Sequence, residues 1–289
     1  MVKISCDIGT NIGFGHFRRC LSLADFLSTR GWACQLQFLD EGDKGVFARL
    51  IPDRHRKVVP ASIHIFDSHR DVSRLVALAK SRGEQVVVLD NFIADSRDVS
   101  INVFGHEPVE IGRSFVGYEY TILRDDIFGV VPEVLPDPYV AVCLGGADVR
   151  GMSAVFARQL SAHGLKPVVV LGPLSKTTPA EFPPSVRVLE SPPDFLRLVA
   201  NADRVVCNCG GVLFESLYLR KRCWVFPQTR YEWNIANDLL KRGCLLGVSV
   251  KPCIDLGTFD TVLPRESPID GKGVARIAEI LQRTLAGAS

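Results

Sequence analysis

The sequence predicts an α/β protein built as two doubly wound, Rossmann-like domains facing a central cleft. Three observations predict it. Short apolar runs alternate with amphipathic helical patterns. A strand–glycine–helix pattern occurs near the N-terminus and restarts after residue 139. A proline-rich stretch, 131–138, separates the two series and reads as an interdomain linker. The division expected is 1–133 and 134–289.

In the first half, strands are expected at 2–6, 33–39, 62–66, 85–90 and 101–104, and helices at 16–30, 43–51, 69–82 and 94–100. Val86–Leu89 is a continuous apolar run, as expected of a parallel strand buried on both faces. Asp90 and Asn91 end it, where ligands bind in such sheets. In the second half, strands are expected at 139–144, 167–171, 186–189, 204–208 and 223–226. Helices are expected at 150–163, 193–200, 211–219 and 231–242. A last helix, 272–286, carries Val274, Ile277, Ala278, Leu281 and Leu285 on one face.

Composition narrows the function. The chain has 289 residues, 47% of them apolar, which suffices for two sizeable cores. With 34 basic and 32 acidic residues it lacks the charge excess of a nucleic-acid binder. No run approaches the ~20 apolar residues of a membrane span, and no signal peptide is visible. Nine scattered cysteines, several in apolar strand patterns, suggest reduced, buried thiols and a cytoplasmic protein. Cys207 and Cys209 lack the partners of a metal site, and no metal is expected.

The most informative segment is Gly13-Phe14-Gly15-His16-Phe17-Arg18-Arg19-Cys20. It follows the first strand and opens a helix whose apolar stripe is Phe17, Cys20, Leu21, Ala24 and Leu27. His16 therefore falls near a helix N-terminus, where free N–H groups and the helix dipole favour anions and disfavour imidazolium. A neutral imidazole is what a general base requires. Many glycine-rich turns bind nothing, and this one is neither a full dinucleotide fingerprint nor a Walker A loop. Asp7, Asn11 and Asp90 are candidate polar contacts to a ligand or to His16.

The second informative segment is Cys209-Gly210-Gly211-Val212-Leu213-Phe214-Glu215. The glycines admit a phosphate close to the backbone. Glu215, one turn into the helix, can accept two ribose hydroxyls or can be an ordinary first-turn carboxylate. Tyr231 and Trp233, between Gln228 and Asn237, can contact a ligand or pack the following helix.

These motifs together resemble one family closely. They are Asp7-x₅-Gly13-Phe14-Gly15-His16-x₂-Arg19-Cys20, Tyr120-x-Ile122-Leu123-Arg124, Leu144-Gly145-Gly146-Ala147-Asp148, Gly210-Gly211-x₃-Glu215 and the Gln228/Asn234-Ile235-Ala236 helix start. The chain is similar to the UDP-2,4-diacetamido-2,4,6-trideoxy-β-L-altropyranose hydrolases of pseudaminic acid biosynthesis, which have the two-domain GT-B glycosyltransferase fold. The resemblance implies hydrolysis of a UDP-linked deoxy-aminosugar without metal or cofactor, with His16 as general base. It places UDP in the C-terminal domain, with Glu215 on the ribose and Gly210 and Gly211 at the diphosphate. Gly13, Gly15, Arg19, Gly145, Gly146 and Asn234 complete the implied substrate site. A monomer is expected. A GT-B glycosyltransferase using a UDP-sugar donor also fits. The chain departs from the family at Ser5, where arginine is usual, and at Asn91-Phe92, where His-Tyr is frequent.

Overall fold

The computed structural model describes residues 1–9, 12–40, 47–58, 60–91, 98–104 and 113–287. The chain divides into two compact units. One contains Met1–Ile8, His16–Asp125 and Asp270–Ser289; the other contains Gly9–Gly15 and Asp126–Ile269.

The first unit is a parallel sheet of six strands: β1 (Val2–Cys6), β2 (Cys34–Phe38), β3 (Ile63–Asp67), β4 (Gln85–Leu89), β5 (Val99–Asn102) and β6 (Arg113–Val116), in the order β2-β1-β3-β4-β5-β6. Helix α1 (Gly15–Thr29) follows β1 and buries Phe17, Cys20, Leu23, Ala24 and Leu27. Leu23 thus joins the expected stripe, while Leu21 is only half-buried. Helix α2 (Ser73–Ser81) places Val76 and Ala79 on Phe66, Val86 and Val88. The chain leaves β1 toward β2 on one side and returns to β3 on the other. The loops after β1 and β3 therefore diverge, which opens a crevice at the carboxyl ends of those strands.

Two expected helices differ from the structure. Of 43–51, residues 43–46 lie outside the described residues; Ala48–Leu50, and Asp53–His55 beyond it, are single 3₁₀ turns. Of 94–100, residues 94–97 lie outside them, and Val99 and Ser100 belong to β5. Asp98 docks this segment on β4, its Oδ2 accepting from Val86 N at 2.8 Å and its own N donating to Val86 O at 3.0 Å.

The second unit is also a six-stranded parallel sheet. Its strands are β7 (Val140–Cys143), β8 (Pro167–Leu171), β9 (Arg187–Glu190), β10 (Arg204–Cys207), β11 (Arg222–Val225) and β12 (Gly247–Val248), in the order β12-β11-β10-β7-β8-β9. Its helices are α3 (Ser153–Ala162), α4 (Phe195–Asn201), α5 (Gly211–Tyr218), α6 (Arg230–Lys241) and α7 (Leu256–Thr261). Val142, Phe156, Leu160, Val169, Phe226 and Phe259 form much of its core. The strand order reverses between β7 and β10, which puts this unit's crevice beside those two strands.

The last helix, α8 (Gly273–Ala286), was expected in the second domain and instead belongs to the first unit. Gly273 lies against the Thr121 carbonyl, where a Cβ would overlap the oxygen. Arg276 donates to Glu119 O at 2.8 Å. We expect Gly273→Ala to lower stability by about 1–3 kcal/mol through overpacking, seen as a lower thermal midpoint; an unchanged midpoint would mean that the helix is not seated there.

Candidate functional site

The first unit gathers its polar side chains at the carboxyl ends of β1, β3 and β4. After β1, Gly9 and Gly13 form an isolated bridge, and Gly13 N donates to Gly9 O at 2.6 Å. Helix α1 begins at Gly15, so His16 is its second residue and Arg19 lies three positions on, on the same face. Both side chains meet Asp67, the fully buried last residue of β3.

Asp67 accepts from four donors. His16 Nδ1 is 2.6 Å from Oδ1, Arg19 Nε is 2.6 Å from Oδ2, and Arg19 Nη2 also reaches Oδ1. The Cys20 thiol donates to Oδ2 at 3.1 Å. Burial alone would raise the Asp67 pKa, but Arg19 and then His16 outweigh it and hold the carboxyl far below the usual range. An ionised carboxylate only accepts hydrogen bonds, so His16 Nδ1 carries a proton, and in the neutral imidazole the basic lone pair is then on Nε2. The 3.3 Å approach of Arg19 Nη2 to Nδ1 is then a contact of two donors, not a bond.

Arg19 is shared with Asp90, which follows β4. Asp90 takes φ +46, an uncommon conformation for a residue with a Cβ, and its Oδ1 accepts from Val103 N at 2.7 Å. His69, two residues past Asp67, lies edge-on to His16 with ring centroids 4.7 Å apart. Burial and then the charges of His16 and Arg19 lower its pKa to about 4, so it is neutral at pH 7.

Of the residues expected here, the structure brings His16, Arg19 and Asp90 together. Asp7 is buried and bonded to Ser68 and Arg70, so it organises the turn after β3 rather than His16. Asn91 Nδ2 donates to the Ser68 and Arg70 carbonyls and secures the same turn. Asn11 and Phe92 lie outside the described residues. Ser5 is buried in the sheet, with its Oγ 2.8 Å from His64 Nε2. Asp67 was missed by sequence reasoning. The signal was available: an aspartate ending the run Ile63-His64-Ile65-Phe66, at the carboxyl end of a strand.

In the second unit, the loop after β7 holds Gly145 and Gly146, and the loop after β10 holds Asn208, Gly210 and Gly211. Gly145 takes φ +85, and a Cβ there would come 3.1 Å from the Asn208 side chain, so the position suits only glycine. Gly210 precedes α5, and Gly211 is its first residue. Glu215, one turn on, is half-buried. It lies close enough to β7 that its charge, after burial, helps push the Cys143 thiol up to about 12. Asn234 is half-buried in α6.

Glu232 ties these loops together and was also missed. Its carboxylate accepts from Asn208 Nδ2 at 2.9 Å and from Gln228 N at 2.6 Å. Gln228 Nε2 in turn donates to Leu144 O at 2.8 Å. Burial raises the Glu232 pKa, while these hydrogen bonds lower it. Thr229-x-x-Glu232, a capping-box spacing, was the available signal. Cys207 and Cys209 are buried, Cys207 against the Cys223 thiol. No described helix is long and apolar enough to cross a membrane.

No family model matches the chain. Among curated proteins it is similar to the UDP-2,4-diacetamido-2,4,6-trideoxy-β-L-altropyranose hydrolase of Campylobacter jejuni, at 20% identity over 271 residues, covering 84% of this chain and 97% of that protein. Among solved structures it resembles CalG4, the calicheamicin glycosyltransferase, with TM-score 0.61 and 14% identity over 99% of this chain and 98% of that one. It resembles the UDP-GlcNAc 2-epimerase of Methanocaldococcus jannaschii with TM-score 0.61 and 13% identity, covering 98% and 99%. MurG of Acinetobacter baumannii gives TM-score 0.60 at 12% identity, again covering 98% and 99%. The fold is thus of the GT-B class.

The depressed pKa of Asp67 has a stability consequence. Its ion pairing contributes above the unfolded carboxylate pKa of ~3.9 and is lost as pH falls toward the folded value. Asp67→Asn leaves Arg19 half-paired and should destabilise the fold by roughly 3 kcal/mol at pH 7. The gap to wild type should narrow below about pH 4. Denaturant melts at pH 7 and pH 3 check this; a gap that does not change with pH would mean that Asp67 is protonated in the fold.

Proposed function

We propose that this chain is a nucleotide-sugar hydrolase that releases UDP from a UDP-linked deoxy-aminosugar, in the cytoplasmic synthesis of a surface-glycan sugar of the pseudaminic-acid kind. The observation that carries the reading is the Asp67–His16 pair, with Nδ1 2.6 Å from Oδ1, which in the neutral imidazole leaves the lone pair on Nε2. A carboxylate bonded to one imidazole nitrogen orients the other as a base and stabilises the imidazolium that forms. The hydrolase name of the C. jejuni relative, matched along nearly its whole length, supports water as the nucleophile.

In this reading His16 Nε2 takes a proton from water as the oxygen attacks the anomeric carbon. The bond from that carbon to the phosphate oxygen breaks, and UDP leaves with the electron pair. Asp67 stays ionised throughout. General-base assistance of this kind contributes roughly 10²–10⁴-fold in rate. The second unit holds UDP: backbone N–H groups at Gly145-Gly146 and Gly210-Gly211 meet the diphosphate, and Glu215 accepts from the ribose. Arg19 acts through Asp67, keeping that carboxylate ionised, and pairs with Asp90 on its other side. The protein acts as a monomer.

His16→Asn should lower UDP release from UDP-amino-sugars by roughly 10²–10⁴-fold and leave UDP affinity nearly unchanged; equal loss of both would make His16 a binding residue. Glu215→Ala should weaken UDP binding, measured by calorimetry, by about 1.5–3 kcal/mol, and unchanged binding would remove Glu215 from the ribose site. Release that requires an added acceptor alcohol, rather than water alone, would make the enzyme a glycosyltransferase.

A further inference from the structure

Arg150 lies on the loop from β7 to α3, at the carboxyl edge of the second sheet. The loop is tightly wound: Gly145, Asp148 and Gly151 take φ values of +85, +41 and +62. The Asp148 carboxylate accepts from the Met152 and Ser153 N–H groups, both at 3.0 Å, and so anchors the loop to the start of α3. Arg150 N donates to Gln228 Oε1 at 3.3 Å. The guanidinium sits over the Phe226 ring, 4.7 Å from its centroid, with Nη1 3.4 Å from Val250 O.

Phe226 directly follows β11, and the register Cys207↔Val225 sets it beside Asn208. Asn208 borders Gly145 and Gly210. The cation therefore stands on the edge that carries both glycine pairs. The nearby carboxylates are already engaged, Asp148 with the start of α3 and Glu232 with Asn208 and Gln228. Among the described residues no carboxylate pairs with Arg150, whose side-chain contacts are the Phe226 ring and Val250 O.

We propose that Arg150 neutralises the diphosphate of the ligand bound by the second unit. The proposal rests on the nucleotide-sugar reading and adds to it a residue outside the glycine motifs. Backbone N–H groups and a helix N-terminus supply only about half a unit of positive charge. A nucleoside diphosphate carries more than that, and more again develops on it as the sugar leaves. A guanidinium presents a planar fork to two phosphate oxygens. Because the Phe226 ring already holds the side chain, less freedom is lost on binding.

The test is calorimetry on the full chain with UDP, inorganic pyrophosphate and uridine, for wild type, Arg150→Met and Arg150→Lys. Arg150→Met keeps the stem on the ring and removes the charge. It should weaken UDP and pyrophosphate tenfold or more, the size of a hydrogen bond to a charged group, and leave uridine unchanged. Arg150→Lys should recover part of the loss. Equal UDP affinity in Arg150→Met, in protein with a wild-type melting midpoint, would overturn the proposal. So would a matching loss for uridine, which would put Arg150 on the base. Wild type that binds neither UDP nor pyrophosphate would remove the nucleotide site itself and this proposal with it. If Arg150→Met does not fold, Arg150→Lys with undiminished pyrophosphate binding supports the charge role, and Arg150→Gln with undiminished binding refutes it.

Discussion

The first unit's site depends on one buried charge. Asp67 ends a strand whose other side chains are wholly enclosed, and an isolated carboxylate there would carry a desolvation cost of several kcal/mol. Arg19 makes ionisation tolerable by giving it two N–H groups, and His16 and Cys20 supply the remaining donors. Arg19 brings its own requirement, a second carboxylate, and Asp90 meets it from the end of the neighbouring strand. The start of α1 is thereby fixed against β3 and β4 by charge rather than by apolar packing. The proton on His16 is fixed by the same bond.

The second unit solves a different problem at the same kind of place. Here the crevice is bordered by glycine loops, and loops of that kind need external support to hold a shape. Glu232 provides it, joining the loop after β10 to the start of α6 through Asn208 and Gln228, and Gln228 extends the link to β7. Both crevices lie where strand order reverses, because only there do adjacent loops part. The side chains then decide what each crevice can do.

Much of this was legible in the sequence. Valine-rich runs such as Val86–Leu89 and the stripes of α1 and α8 mark strands and helices because burial enforces their period. His16, Arg19 and the glycine pairs lie in local motifs. What was hidden depends on distant pairing. Asp67 is 51 residues from His16 in sequence, and only the β1–β3 register brings them together. β12 has only two residues, too few to show a period, and β6 (Arg113–Val116) has no fully buried residue to enforce an apolar run. The place of α8 rests on Gly273 against Thr121, a contact no local pattern encodes.

Two histidines of the first unit, His64 on β3 and His16 on α1, differ in how they are bonded. His64 has both ring nitrogens bonded, Nδ1 to Glu84 at 2.9 Å and Nε2 to Ser5 at 2.8 Å. Burial and then the nearby Lys3 and Arg82 lower its pKa to about 3, so it stays neutral near pH 7. It serves the fold. His16 has one nitrogen bonded to a carboxylate, and its side chain keeps 11% of its surface exposed. No described protein group bonds its Nε2. A buried ion-pair cluster adds little stability over apolar packing of the same volume. At the same place Asp90 is held at φ +46, a strained geometry that persists where the surroundings over-determine it. The function proposed above gives both features a use, proton transfer at His16 Nε2.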